Sequence, residues 1–157
     1  MQSPTGVGFL LSQMGVFVSD GFAERVAALG LTPPQVGVLR LISQTPGLSQ
    51  QALADRLGIL PSRMVGLVDD LEARGLVERS RNPQDRRLYA LHPTERGWET
   101  LASVSVIAVE FEREVCAPLS EREAGVLTDL LRRLADGHEL PVGVHLGYRH
   151  LTEGDAG

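Results

Sequence analysis

The sequence predicts a mainly α-helical chain that carries one small antiparallel β-hairpin. Three observations predict it. Apolar residues recur at helical spacing along much of the 157-residue chain, Ser and Thr capping motifs precede those runs, and the period changes to a strand pattern after Gly75.

Residues 8–29 read as a first helix with an apolar surface of Phe9, Leu10, Met14, Phe17, Val18, Phe22 and Val26. Such a helix needs cover, from its own domain or from a second chain. Thr32-Pro33-Pro34-Gln35 opens the next one. Thr32 caps it, Pro33 fits the first turn where no N–H is needed, and Gln35 completes a capping box. That helix runs through Leu39 and Ile42 and stops before Pro46-Gly47. Ser49 then caps a short helix, Gln50–Leu57, with Leu53 and Leu57 inward and Gly58 giving the left-handed ending. Another helix spans residues 61–75, with Met64, Leu67, Val68 and Leu71 as its buried stripe. Two short helices joined by Gly58-Ile59-Leu60 make a helix-turn-helix.

Residues 76–81 read as a strand, Asn82-Pro83-Gln84-Asp85 as a turn and residues 87–91 as the returning strand, which together form a wing. Thr94 caps a long helix reaching Ala117, and Pro118 breaks it. Ser120 and Glu123 form a second capping box. It opens a last helix whose Val126, Leu127, Leu130, Leu131 and Leu134 make a broad apolar face ending at Gly137. The expected fold is a winged helix-turn-helix over residues 32–93. Residues 8–31 and 94–137 supply N- and C-terminal dimerisation helices. The tail, 138–157, is weakly patterned and reads as packing loosely or extending across a partner.

Hydrophobic residues make up 43% of the chain, enough for a core. No apolar run approaches the ~20 residues that span a bilayer. The N-terminus lacks a basic region followed by a small-residue cleavage site. Cys116 is the single cysteine, which excludes a disulfide framework and fits a reducing cytoplasm. The net charge of -5 argues against a nucleic-acid partner, but its distribution argues the other way. Between residues 47 and 92 seven arginines face six acids, a net +1, so the remainder carries -6. All 15 basic residues are arginine. GC-rich codon usage accounts for this, since the bias extends beyond the central segment, although arginine also suits bidentate phosphate and guanine contacts.

The stretch LTPPQVGVLRLI, followed by LSQQALADRLGILPSRMVGLVDDLEARGLVERSRNPQDRRLYALHPTERG, resembles the MarR family of transcriptional regulators. Its most specific part is LVDDLEARGLVERSRNPQDRR, a recognition-helix end leading into an Asp-Arg wing. The resemblance covers residues 31–97 closely and 8–135 less distinctively. It implies a homodimer built by the first and last helices, with each protomer reading half of a pseudo-palindromic operator in double-stranded DNA. It also implies a repressor whose DNA affinity is weakened by a small aromatic, acidic or phenolic ligand. No cofactor is implied.

With Met64, Leu67, Val68 and Leu71 inward, the recognition helix turns Ser62, Gly66, Asp69 and Ala73 outward, flanked by Arg63, Val65 and Asp70. Side chains near its N-terminus reach base edges. Ser62 suits a phosphate or base, Arg63 a guanine or phosphate, and Val65 a thymine methyl. Gly66 has two readings, close backbone approach or a neutral surface glycine. Arg86 at the wing tip suits a narrow minor groove. Asp85 beside it is expected to orient an arginine through a charge-assisted hydrogen bond. Arg79, Arg81 and Arg87 are assigned to phosphates, and Arg74 belongs to the same basic cluster.

Other features carry less. Cys116 reads as a buried structural thiol, with Glu112 and Glu114 near it opposing a reactive thiolate. His92, His138, His145 and His150 match no metal-ligand spacing. Trp98 and Tyr89 read as core or domain-junction residues, and Met14, Phe17 and Phe22 as interface. No phosphate loop, nucleophile elbow or catalytic carboxylate pair is present, so the chain is not read as an enzyme. The alternative function is a winged-helix module that binds protein without DNA, favoured by the acidic total charge and the Val65-Gly66 pair.

Overall fold

The structure is a computed structural model that describes residues 5–85 and 87–150, without the side chains of residues 149 and 150. Its helices are α1 (Val7–Ala27), α2 (Pro33–Gln44), α3 (Gln50–Leu57), α4 (Pro61–Ala73), α5 (Glu95–Val115) and α6 (Glu121–Gly137). Strands β1 (Val77–Arg81) and β2 (Tyr89–Pro93) lie between α4 and α5, and a 3-10 turn, Leu146–His150, follows α6. No described helix is long and apolar enough to cross a membrane.

Local chemistry sets the helix starts. The Gln35 side chain accepts from the Thr32 backbone N–H at 3.0 Å, Ser49 Oγ from Ala52 N–H at 3.1 Å and Thr94 Oγ1 from Gly97 N–H at 3.0 Å. Each bond satisfies a donor that the helix itself leaves unpaired. At α6 the Glu123 carboxylate accepts from Ser120, and those bonds hold its pKa below the ordinary carboxylate value. Gly58 ends α3 at φ 64°, the left-handed conformation for which glycine is suited.

The core sits under the helix-turn-helix. Leu39, Ile42, Leu53, Met64, Val68, Leu71 and Leu91 are fully buried, together with Val26 from α1. Met64, Leu67, Val68 and Leu71 all point inward as their spacing requires. The β1–β2 ladder runs antiparallel from Val77 opposite Pro93 to Arg81 opposite Tyr89. Leu91 N–H donates to Leu48 O at 3.1 Å, and Gly47 N–H to Leu91 O at 2.8 Å. The loop before α3 thereby fastens the hairpin to the helix-turn-helix.

The returning strand begins two residues later than the alternation predicts. Asn82 Oδ1 accepts from Gln84 N–H at 2.9 Å and Asp85 Oδ1 from Arg87 N–H at 3.0 Å. These Asx turns hold the tip as loop in competition with the ladder. Tyr89 and Trp98, expected in the core or at a junction, are 49% and 50% exposed. Tyr89 is on the outward side of the wing, and Trp98 is on the solvent side of α5, whose buried residues are Gly97, Val104 and Phe111. Cys116 is half-buried at the C-cap of α5.

Gly97 marks where α5 meets the wing. A Cβ there would collide with the Leu76 carbonyl oxygen, which already accepts from Thr94 N–H at 3.1 Å. Backbone cannot step aside as a flexible side chain does, so Gly97→Ala is expected to destabilise the chain by about 2 kcal/mol. Denaturant unfolding measures it, and unchanged stability would contradict the close approach.

The helices at the two ends are the poorly covered part. α6 buries none of its residues, and Val126, Leu127, Leu130, Leu131 and Leu134 are 40–52% exposed. Phe9, Leu10, Met14 and Phe17 of α1 are exposed too. The C-terminal half of α1 is held: Arg25 pairs with Glu114, and its guanidinium carbon lies 4.0 Å from the centre of the Phe111 ring. Part of the tail packs on its own chain, with Val144 and Tyr148 against the core. Residues 151–157 lie outside the described residues.

Candidate nucleic-acid interface

The helix-turn-helix presents the N-terminal half of α4. Pro61 occupies the first turn, where a missing N–H is harmless, and Leu60 stands before it, 71% exposed. Ser62, Val65 and Gly66 are exposed, and Arg63 is half-buried. A Cβ on Gly66 would meet nothing within 4 Å. Among the described residues no packing demands glycine there, so both sequence readings of Gly66 stand.

The wing lies against the flank of α4 through Arg79. Its Nη2 donates to Asp69 Oδ1 at 2.6 Å and to Gln50 Oε1 at 3.1 Å, while Nη1 pairs with Glu72. The Arg79 side chain is only 16% exposed. Burial alone would lower its pKa, but the bonds and charges of Asp69 and Glu72 outweigh that and hold it above the ordinary arginine value. Sequence reading assigned Arg79 to a phosphate. Its fork is instead committed to α4 and α3, so the residue braces the wing. Asp69, an acid on the outward face of α4, is neutralised by the same contact.

The remaining residues divide between the wing and the C-terminal end of α4. Arg81 and Arg87 are exposed on the wing. The Asp85 carboxylate accepts from the Arg87 backbone N–H and so shapes the loop. Arg86 lies outside the described residues. Arg74 caps the far, C-terminal end of α4. There it lines a cleft with Leu29, Leu76, Arg96 and Thr100, apart from the exposed first turn.

Sequence reading missed Gln50 and Leu60. Gln50 had a faint signal, an amide at a helix start beside a cap. Leu60 had one in its position between Gly58 and Pro61. Among the described residues no group of three or more His, Cys, Asp or Glu is placed to hold a metal ion.

A short helix pair with α4 displayed, and a hairpin clamped to its side, define a winged helix-turn-helix protein. The MarR family model matches residues 29–88. The chain is 37% identical over 129 residues to a putative transcriptional regulatory protein for the hcr operon of Thauera aromatica, covering 82% of this chain and 78% of that protein. It superimposes on the transcriptional repressor CouR, solved bound to a 23-mer DNA duplex, with TM-score 0.73 and 35% identity over 83% of this chain and 92% of that one. The crystal structure of MarR matches with TM-score 0.76 and 27% identity, covering 88% of this chain and 95% of that one. This chain belongs to the MarR family of transcriptional regulators.

Proposed function

We propose that the chain is a homodimeric repressor that binds a pseudo-palindromic operator in double-stranded DNA, with α4 in the major groove and the wing at the adjacent minor groove. The observation that carries this reading is the exposed first half of α4 with the wing braced beside it through Arg79. The duplex bound by CouR, a relative of the same fold, supports it. Ser62, Arg63, Val65 and Gly66 then meet bases and phosphates, Arg81 and Arg87 meet phosphates, and Arg86 enters the minor groove. Asp85 acts by folding the loop that carries Arg86 and Arg87. The apolar faces of α1 and α6 supply the dimer contact.

Binding is further proposed to be modulated by a small aromatic acid or phenol. The cleft of Leu29, Leu76, Arg74 and Arg96 is lined mainly by polar groups and includes two arginines, which suits the carboxylate of an aromatic acid. Arg74 is thereby moved from the DNA face to the effector. Thermal-shift titration with aromatic acids tests it, since a ligand selective for the native state must raise the melting temperature.

Gel shift with the protein's own upstream promoter region tests DNA binding. Affinity is expected to fall steeply with ionic strength, as counterion release requires when phosphates dominate. Arg86→Ala is expected to weaken binding several-fold. An unchanged footprint and affinity at physiological salt would remove Arg86 from the interface. No shift at any salt would favour a protein partner.

A further inference from the structure

The helix interior of α2 contains a glycine with an occupant over it. Gly37 is mid-helix, where glycine is weaker than alanine, and no turn or positive φ calls for it. The reason lies 111 residues further on. A Cβ at Gly37 would stand 2.6 Å from Tyr148 Oη and 2.8 Å from two atoms of its ring. The ring is seated on the bare helix backbone, and its hydroxyl donates to the Pro33 carbonyl at 3.3 Å. Burial pushes the Tyr148 pKa up, while the charge of Arg40 acts in the opposite sense. Val144 packs against the core just before it, and the His145 ring lies 5.8 Å from the Tyr148 ring.

The elements joined are the informative part. Residues 140–148 follow α6, whose apolar face is uncovered in the protomer, and end on α2, the first helix of the reading unit. The same helix turns another face to the recognition helix. Gln35, two residues after Pro33, is 6% exposed and reaches Asp70 of α4 at 3.5 Å, the outer limit of a hydrogen bond.

We infer that residues 140–148 form a strap fastening the dimerisation arm to the reading unit, with Tyr148 as a positioning residue in a slot that Gly37 keeps open. Fastening restricts how the reading unit moves relative to α6. Less freedom is then lost when both units of a dimer engage one duplex, and preorganisation of this kind raises affinity. The effect on DNA rests on the proposed function above; the strap itself does not.

Two variants test it, Gly37→Ala and Tyr148→Ala, in the full chain. Hydrogen exchange of the free protein is followed in residues 140–148 and in the first turn of α2. Affinity for the operator duplex is measured alongside. Both variants are expected to speed exchange in the two segments at least tenfold and to weaken DNA binding three- to tenfold, though neither alters a DNA-facing residue. Tyr148→Phe, which keeps the ring, should retain most of the wild-type behaviour. Unaltered exchange in Gly37→Ala would overturn the strap, because alanine alone strengthens an unencumbered helix. Faster exchange with unaltered affinity would overturn the positioning role. A wild-type chain that binds no duplex would overturn the DNA reading, and the exchange comparison would then judge the strap alone.

Discussion

Glutamates at Leu127 and Leu131 are expected to convert a particle of twice the 17.0 kDa chain mass into one of chain mass, and to lower operator affinity on the order of 100-fold. The two leucines stand one turn apart on α6, 41% and 40% exposed, and α6 buries nothing within the protomer. Substitution there removes no fully buried side chain, so far-UV circular dichroism should be nearly unaltered. In the proposed dimer the same positions are desolvated, and four carboxylates buried there would force the chains apart. The loss of affinity follows from valency. A second half-site engaged from a tethered partner benefits from a high effective concentration, which a lone protomer lacks. Light scattering coupled to size exclusion reads the mass. A variant that stays dimeric would place the contact elsewhere, and a monomer with wild-type affinity would contradict paired reading.

Arg79→Ala is expected to lower affinity tenfold or more with only a small loss of stability. Arg79 is nearly covered, but its partners Asp69 and Glu72 are 57% and 43% exposed, so solvent screens the pair and its net contribution is about 1 kcal/mol or less. The effect on DNA is larger for two reasons. The wing loses its side-chain tie to α4 and α3, keeping the backbone fastening at Leu48 and Leu91. Two carboxylates on α4 also lose the cation that neutralises them while phosphates approach. Arg79→Lys restores charge without the fork that reaches Asp69, Glu72 and Gln50 together, so it should recover only part of the affinity. Fluorescence anisotropy with a labelled operator gives the ratios, and hydrogen exchange over residues 77–93 reports the wing. Wild-type affinity together with wild-type exchange would show that the brace is dispensable.

These outcomes also mark how much the sequence discloses. Helix starts were legible because capping is local: Thr32 with Gln35, Ser49, Thr94, and Ser120 with Glu123 act within one turn. The inward stripe of α4 was legible because a 3.6-residue period decides which side chains share a face. The apolar faces of α1 and α6 could be read for the same reason. The wing tip was misjudged by two residues because Asn82 and Asp85 bind backbone N–H groups two positions on, a competition that alternation does not register.

Arg79 illustrates a harder limit. Its partners lie 7, 10 and 29 positions away on two other elements, and composition cannot tell a braced guanidinium from a displayed one. The i, i+3 spacing of Asp69 and Glu72 was the available signal, since two acids on one edge of a recognition helix call for a nearby cation. Gly37 drew no reading, since a glycine inside a helix does not name the Tyr148 ring that approaches it from 111 residues away. Asp85 was legible as part of the wing, but its bond to the Arg87 backbone was not, because alternation does not register an Asx turn.

In the proposed complex two copies read duplex DNA with α4 and the wing. Selection of bound duplexes from a random pool, followed by footprinting and the mass of the complex, tests it most directly. The expected product is an inverted repeat with half-sites about 10 base pairs apart, centre to centre, bound by two chains. Failure to enrich any sequence, or enrichment of a single half-site bound by one chain, would contradict it.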